Sequence, residues 1–267
     1  MSMKERYELL LSLKSLDYEI SELLQYVKEC KECFGILHQK LDLLCQFILS
    51  EENIQKWNEW GEDKEIQCYC EQLRETAVQA LCDMEKYQSL CTYHSQFDMS
   101  EYIDQLSVSV RKEMDELHIN QESKVLFIGS GAFPTTALTI AKETGAHVMG
   151  VDIDGEAIQL ARKLTELSGL HSTVKFSSEE LHTLAYAKEA THIIIASLVQ
   201  NKMEVLNCLK DFVQPATSVI VRYGNGLKSV FNYPFKNELS NEWIQTKTRE
   251  NEAIYDTIIL NKAGICV

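Results

Sequence analysis

The residues that could do chemistry begin at a glycine turn, Gly129-Ser130-Gly131, followed closely by Pro134. Two acids, Asp152 and Asp154, follow about 20 residues later, the distance at which an acid accepts ribose hydroxyls in nucleotide-binding βαβ units. Glycine lets the backbone turn tightly and lets a ligand come close to it. Three readings stay open on these residues alone. A dinucleotide site asks for a third glycine, which permits close helix–strand contact and pyrophosphate binding at the helix terminus; this chain has Pro134 there. An S-adenosylmethionine (SAM) site cradles no phosphate and tolerates the proline. The last reading is a Rossmann-like turn that serves no ligand.

The elements that must position these residues are legible on either side. Val125 to Ile128 are apolar without alternation, as expected of a parallel strand covered on both faces. Pro134 suits the first turn of a helix ending at Gly145, and His147–Val151 reads as the next strand. Alternation continues with a helix over Gly155–Leu167, a strand at Thr173–Phe176 and a short helix near Glu179–Lys188. Next come a strand at His192–Ala196, a helix over Lys202–Phe212 and a strand at Ser218–Arg222. This pattern specifies a parallel sheet with helices on both faces. Trp243–Thr248 and Ala253–Leu260 then read as a closing antiparallel hairpin, the habit of class I SAM enzymes.

The first part of the chain differs. Leu9, Leu13, Leu16 and Ile20 recur at helical spacing, and the pattern continues through Leu23, Leu24, Val27, Leu41, Leu44 and Ile48. Breaks are expected near Gly35, Glu51–Asn53 and Gly61–Lys64, with further helices over Glu65–Leu90 and residues 100–117. The expected fold is therefore α/β: an all-helical domain over residues 1–120, then a Rossmann-like domain over residues 121–267, which fold analogy likens to a class I SAM-dependent transferase domain.

A net charge of −14 argues against nucleic acid and anionic membranes as partners, since both are polyanions. No apolar run is long enough to span a bilayer, and the opening MSMKERYELLLSLKS lacks a signal peptide's apolar run, so a cytoplasmic location is expected. The 9 cysteines then read as reduced thiols. Cys30-x-x-Cys33 and Cys68-x-Cys70 sit in helical surroundings, and the second spacing is too short for a usual zinc knuckle. The histidines are scattered without ligand spacing, and no metal site is expected.

Phe127-Ile-Gly-Ser-Gly131-Ala-Phe-Pro134-Thr-Thr136 resembles the nicotianamine synthase signature, in which G-S-G leads to a proline and then Thr or Ser. Ala141–Ala146 and Gly150–Asp154 are similar to the bacterial branch that makes opine metallophores such as staphylopine. Arg222-Tyr-Gly-Asn-Gly226-Leu-Lys228, running on to Tyr233-Pro234, resembles the family's second block. Asn225 stands where plant and archaeal members carry histidine, which favours the bacterial branch.

The resemblance implies transfer of the 2-aminobutanoate arm of SAM to an amino-acid nitrogen, with release of 5′-methylthioadenosine. The implied acceptor is histidine, with the D enantiomer favoured over the L. A separate opine dehydrogenase would take the product onward. An ordinary small-molecule methyltransferase is the rival enzyme, and a helical interaction module with a vestigial Rossmann-like domain is the rival of another class. The sequence does not fix the oligomeric state and admits a homodimer.

Such a transfer needs a base for the acceptor's ammonium. The resemblance assigns that role to Glu85, whose neighbours Leu81, Met84 and Leu90 suggest an apolar setting that raises a carboxyl pKa. It places Tyr102 beside the reacting amine. Cofactor contacts are expected from Gly129, Ser130, Gly131, Pro134, Asp152 and Asp154. At later strand ends, Ser177 (or Ser178) is expected near adenine, Ser197 near the reacting region, and Arg222 on a carboxylate. Asn225 and Tyr233 are expected to close over the acceptor. Each also has an ordinary reading as a helix surface, packing or ion-pair residue.

Overall fold

The computed structural model describes residues 2–94, 114, 116–181, 185–235, 239, 241–249 and 253–263. The contacts divide the chain into two compact units. Unit 1 comprises Met1–Met84, Arg222–Lys236 and Arg249–Thr257, and unit 2 the remainder. The expected boundary at residue 120 follows the change from helices to alternating elements, whereas this division follows packing.

Unit 1 is helical. Helices α1 (Met3–Glu29), α2 (Cys33–Leu49) and α3 (Glu51–Trp60) are followed by α4 (Lys64–Tyr93), whose residues through Met84 belong here. Leu9, Leu13, Ile20, Leu24 and Val27 bury one face of α1, as their spacing dictates. Arg6 in α1 makes a two-pronged ion pair with Asp63, with Nε and Nη2 each 3.0 Å from a carboxylate oxygen. Asp17, buried on α1, accepts from Thr76 Oγ1 at 2.7 Å and from Gln72 Nε2 at 2.5 Å. The first break falls at Cys30–Glu32 rather than at Gly35. Cys30 is extended, with φ −130° and ψ 106°, and ends α1. Gly35 lies within α2, where a Cβ would meet nothing within 4 Å, so the glycine there marks no boundary. Ser50 caps α3 by accepting from Asn53 N at 3.5 Å.

Unit 2 holds most of a seven-stranded sheet, of which Arg222, Tyr223, Arg249, Asp256 and Thr257 are assigned to unit 1. In chain order its elements are β1 (Lys124–Ile128), α5 (Thr135–Thr144), β2 (His147–Val151), α6 (Gly155–Leu167) and β3 (Val174–Ser177). Then follow α7 (Ala185–Glu189), β4 (His192–Ile195), α8 (Lys202–Leu209), β5 (Ser218–Tyr223), β6 (Trp243–Arg249) and β7 (Asp256–Lys262). The strand order is β3-β2-β1-β4-β5-β7-β6. β1 pairs in parallel with β2 and β4, so its carboxyl end lies at the switch point, where open α/β sheets bind ligands. Apolar strand residues such as Val125, Phe127, Val148 and Ile194 pack with Leu138, Ile158 and Leu164 of the helices.

The closing hairpin exists, with β7 inserted between β5 and β6. Ala263 N donates to Glu242 O at 2.8 Å while Thr246 bonds across to Ile259 O at 3.2 Å, so the two strands run antiparallel. β7 starts at Asp256, three residues later than expected. Ile254 O instead accepts from Asn232 Nδ2 at 2.7 Å, which commits that backbone to a loop contact. No helix among the described residues is long and apolar enough to cross a membrane.

Gly145 ends α5 at φ 73°, with its N–H on Ala141 O at 3.0 Å. A Cβ there would sit 3.3 Å from Gln121 Cβ. Gly145→Ala is expected to cost about 1 kcal/mol, the scale of a left-handed residue with a side chain. A urea denaturation midpoint that does not fall would contradict this.

Candidate active site

The site is assembled within unit 2 by the turn that follows β1. Gly129 has φ 81° and Gly131 φ 68°, conformations that favour glycine. Every backbone N–H from Gly129 to Phe133 is engaged by the protein. Gly129 N and Ser130 N donate to Val151 O at 2.9 and 3.1 Å. Gly131 N donates to Asp152 Oδ2 at 2.9 Å. Ala132 N donates to Glu85 Oε2 at 3.1 Å, and Phe133 N also bonds the Glu85 carboxylate. A Cβ on Gly131 would displace that carboxylate, and the φ of Gly131 itself favours glycine.

Glu85 reaches the turn from the last part of α4, which belongs to unit 2. Ser89, one helical turn further on the same face, donates to Ala132 O at 2.7 Å. The Ala132 peptide is thus held at its N–H by Glu85 and at its carbonyl by Ser89. Protein atoms crowding the carboxyl of half-buried Glu85 raise its pKa to about 7, against the N–H groups of Ala132 and Phe133, which lower it. The nearby Asp152 charge raises it further. A carboxylate with this pKa can take a proton from an ammonium near neutral pH.

Asp152 closes β2. Its Oδ2 accepts from Gly131 N, and its Oδ1 accepts from Asp154 N at 3.0 Å. Each oxygen keeps a second lone pair, which suits a vicinal diol. Asp154 caps α6, accepting from Glu156 N at 2.9 Å and Ala157 N at 3.3 Å. Lys86 Nζ lies 2.7 Å from Asp154 Oδ2, and this pairing holds the Asp154 carboxyl below the usual range. Ser130 is buried, and among the described residues its hydroxyl finds no hydrogen-bond partner beside the turn. Pro134 stands one residue before α5, as its N-cap at φ −81°, and its carbonyl accepts from Leu138 N at 3.0 Å.

At the next strand ends, half-buried Ser177 accepts from Glu179 N at 3.1 Å and Ser178 is exposed. Ser197 is half-buried, with its carbonyl accepting from Lys202 Nζ at 2.9 Å. Asp152, Gly129–Gly131, Glu85, Ser177 and Ser197 therefore all lie at or against the carboxyl ends of β1–β4. Ser89, Lys86 and Lys202 were not singled out from the sequence. Ser89 follows Glu85 by four residues, a spacing that offered a signal.

Arg222, Asn225 and Tyr233 belong to unit 1. Arg222 is buried with its guanidinium 5.2 Å from the centre of the Tyr255 ring. Asn225 fastens its own loop: Nδ2 donates to Phe235 O, and Oδ1 accepts from Phe235 N, both at 3.2 Å. The Tyr233 hydroxyl donates to Glu75 Oε2 at 2.7 Å, and Arg74 lies over its ring. Burial, then the Glu75 carboxylate, hold that hydroxyl well above the usual tyrosine pKa. Tyr102 lies outside the described residues. Among the described residues the cysteines are free, and no group of three or more His, Cys, Asp or Glu could hold a metal ion.

Comparison with known proteins adds to this geometry. The nicotianamine synthase protein family matches residues 70–267. An L-histidine 2-aminobutanoyltransferase of Pseudomonas aeruginosa is 39% identical over 98% of this chain and 100% of its own length. A protein of the same name from Yersinia pestis is 35% identical over 95% of each. A crystal structure of a mutant MtNAS in complex with S-adenosylmethionine has a TM-score of 0.72 at 15% identity, covering 93% of this chain and 98% of that one. At that identity the likeness shows the fold alone.

The raised Glu85 pKa carries a stability consequence. Its folded value of about 7 exceeds the ordinary 4.5, so folding favours the protonated carboxyl. Stability is fully present below the ordinary value and declines as pH rises towards about 7. Glu85→Gln escapes this decline. Thermal unfolding is expected to show the variant gaining on the unsubstituted protein between about pH 5 and pH 8; a constant difference would contradict the shift.

Proposed function

Because the chain belongs to the nicotianamine synthase family, we propose that it transfers the 2-aminobutanoate group of SAM to the α-amine of histidine, releasing 5′-methylthioadenosine. The chain is an enzyme, a SAM-dependent aminobutanoyltransferase of opine-metallophore biosynthesis. Two curated relatives carry L-histidine in their names, and we take the L enantiomer in place of the D.

The carrying observation is the closed glycine turn. Its N–H groups are spent on Val151, Asp152 and Glu85, so none is left to cradle a pyrophosphate. Two carboxylates beside the turn repel phosphate and favour a sulfonium cation. That combination disfavours a dinucleotide and fits SAM, the ligand in the MtNAS complex.

In the proposed reaction Glu85 removes a proton from the acceptor's ammonium. The freed nitrogen lone pair attacks the γ-carbon of the methionine arm. The γ-carbon–sulfur bond breaks and its electron pair neutralises the sulfonium, leaving 5′-methylthioadenosine. Alignment of nitrogen, carbon and sulfur supplies much of the acceleration. What supports Glu85 is its pKa near 7 and its place on the SAM-side turn. Asp152 is proposed for the ribose hydroxyls, Ser130 and the Gly129–Gly131 backbone with Pro134 for the methionine arm, Ser177 for adenine and Ser197 for the reacting region. Asp154 supports the Asp152 end of the site. Arg222 is proposed for a carboxylate, and Tyr102, Asn225 and Tyr233 for the acceptor. The product is proposed to pass to an opine dehydrogenase in the cytoplasm, where thiols stay reduced. A homodimer and the exclusion of nucleic acid, from the −14 charge, are part of the same proposal.

Mass spectrometry of SAM with L- and with D-histidine tests the reading. Methylthioadenosine and a histidine adduct are expected with the L enantiomer, whereas S-adenosylhomocysteine would indicate a methyltransferase. No SAM-dependent product at all would favour a non-catalytic module. Glu85→Gln is expected to bind SAM and lose at least 100-fold in turnover, roughly the contribution of a general base. Activity retained within a few-fold would remove Glu85 from the mechanism. In the unsubstituted enzyme kcat/KM is expected to rise with pH through about 7, as Glu85 ionises.

A further inference from the structure

One of the largest fully buried side chains is a lysine, Lys202, at 2% exposure. It opens α8, and its Nζ donates to Ser197 O at 2.9 Å and to Val199 O at 2.6 Å. An ammonium here opposes the helix dipole and gives up its hydration. Both accepting carbonyls belong to the loop between β4 and α8. Val199 N also donates to Ala196 O at 3.2 Å, so the loop is folded back on itself and clamped from within by Lys202.

This loop borders the glycine turn. A Cβ on Gly129 would lie 2.7 Å from Val199 Cγ2 and 3.2 Å from Ala196 Cβ. The Val199 side chain therefore occupies the space that the missing Gly129 side chain leaves. Ala196 N donates to Ile128 O at 2.9 Å, which ties the start of the loop to the end of β1. Lys202, Val199 and Gly129 form a chain of direct contacts running from a buried charge to the turn.

We propose that Lys202 is a positioning residue for SAM, holding the Ser197–Val199 loop so that Val199 packs on the glycine turn. The proposal deepens the aminobutanoyltransferase reading and rests on it. Lys202 touches neither reactant in this account. Its removal loosens the wall of the SAM subsite and leaves Glu85, on α4, where it was. The defect belongs chiefly in SAM affinity, with a smaller effect on the chemical step through Ser197.

The test is steady-state kinetics with SAM and histidine varied separately, together with calorimetric titration of SAM. Lys202→Met is expected to raise KM and Kd for SAM about tenfold, with KM for histidine and kcat changed by less than about threefold. Val199→Ala is expected to do the same in smaller measure. The double variant is expected to be no worse than Lys202→Met alone, because both act through one loop. SAM binding within about twofold of the unsubstituted protein, or a fall in kcat at unchanged KM, would overturn the proposal. If Lys202→Met does not fold, Lys202→Arg and Val199→Ala carry the same readings, and unchanged SAM affinity in both overturns it. Absence of SAM binding by the unsubstituted protein would overturn the SAM reading and this proposal together. Binding that Lys202→Met retains overturns this one alone.

Discussion

Satisfaction of the backbone N–H groups from Gly129 to Phe133 is the constraint on which the candidate site depends. Buried amides must be paired, and a turn after a parallel strand leaves several of them pointing the same way. In a phosphate-binding turn the ligand completes the pairing. Here the chain supplies its own acceptors: one carbonyl from β2, the Asp152 carboxylate and the Glu85 carboxylate. The turn's N–H groups are paired within the chain, and its surroundings carry two acids. A cation gains from that arrangement, and a polyphosphate is opposed by it.

The same hydrogen bonds set the chemistry of Glu85. Crowding and the Asp152 charge favour the protonated carboxyl, and the Ala132 and Phe133 amides favour the ionised one. The balance falls near neutral pH. Without the amides the carboxyl would hold its proton more tightly; without the crowding it would ionise as an ordinary carboxyl does. Ser89 adds rigidity, because it grips the carbonyl of the peptide whose N–H meets Glu85. Lys86, next to Glu85, pairs with Asp154 and Glu156 at 2.7 Å each, and so ties α4 to the start of α6. Helix and turn are joined by several short polar contacts, the condition for holding a carboxyl group in one place.

Unit 1 shows the same economy in the loop after β5. Asn225 bonds Phe235 twice, Asn232 bonds Ile254 O, and Lys228 Nζ lies 2.5 Å from Asp256 Oδ1. Arg74 holds Ser229 O at 2.8 Å and covers Tyr233, whose hydroxyl is committed to Glu75. Residues that a sequence motif singles out as polar and reactive are, in good part, fastening a loop of irregular backbone. The motif block is kept in shape by its own side chains.

The sequence by itself determined the fold class and the existence of most elements. Short unbroken apolar runs at Val125–Ile128 and Ile193–Ile195, set between helical segments, read as strands covered on both faces, and the leucine spacing of Leu9–Val27 reads as the buried face of a helix. It also determined the turn, through Gly129 and Gly131, and the acid at the end of β2, because these are local requirements of φ and of chain length. Tertiary structure alone decided what those residues bind within the protein. The meeting of Glu85 with Ala132 joins residues 47 positions apart, and no local pattern predicts that pairing. The insertion of β7 between β5 and β6 is likewise a matter of pairing across space, as is the burial of Lys202 against the loop that precedes it. Periodicity reports which face of an element is apolar. Which acceptor a given N–H finds, and how far a carboxyl pKa moves, depend on the groups that packing brings alongside.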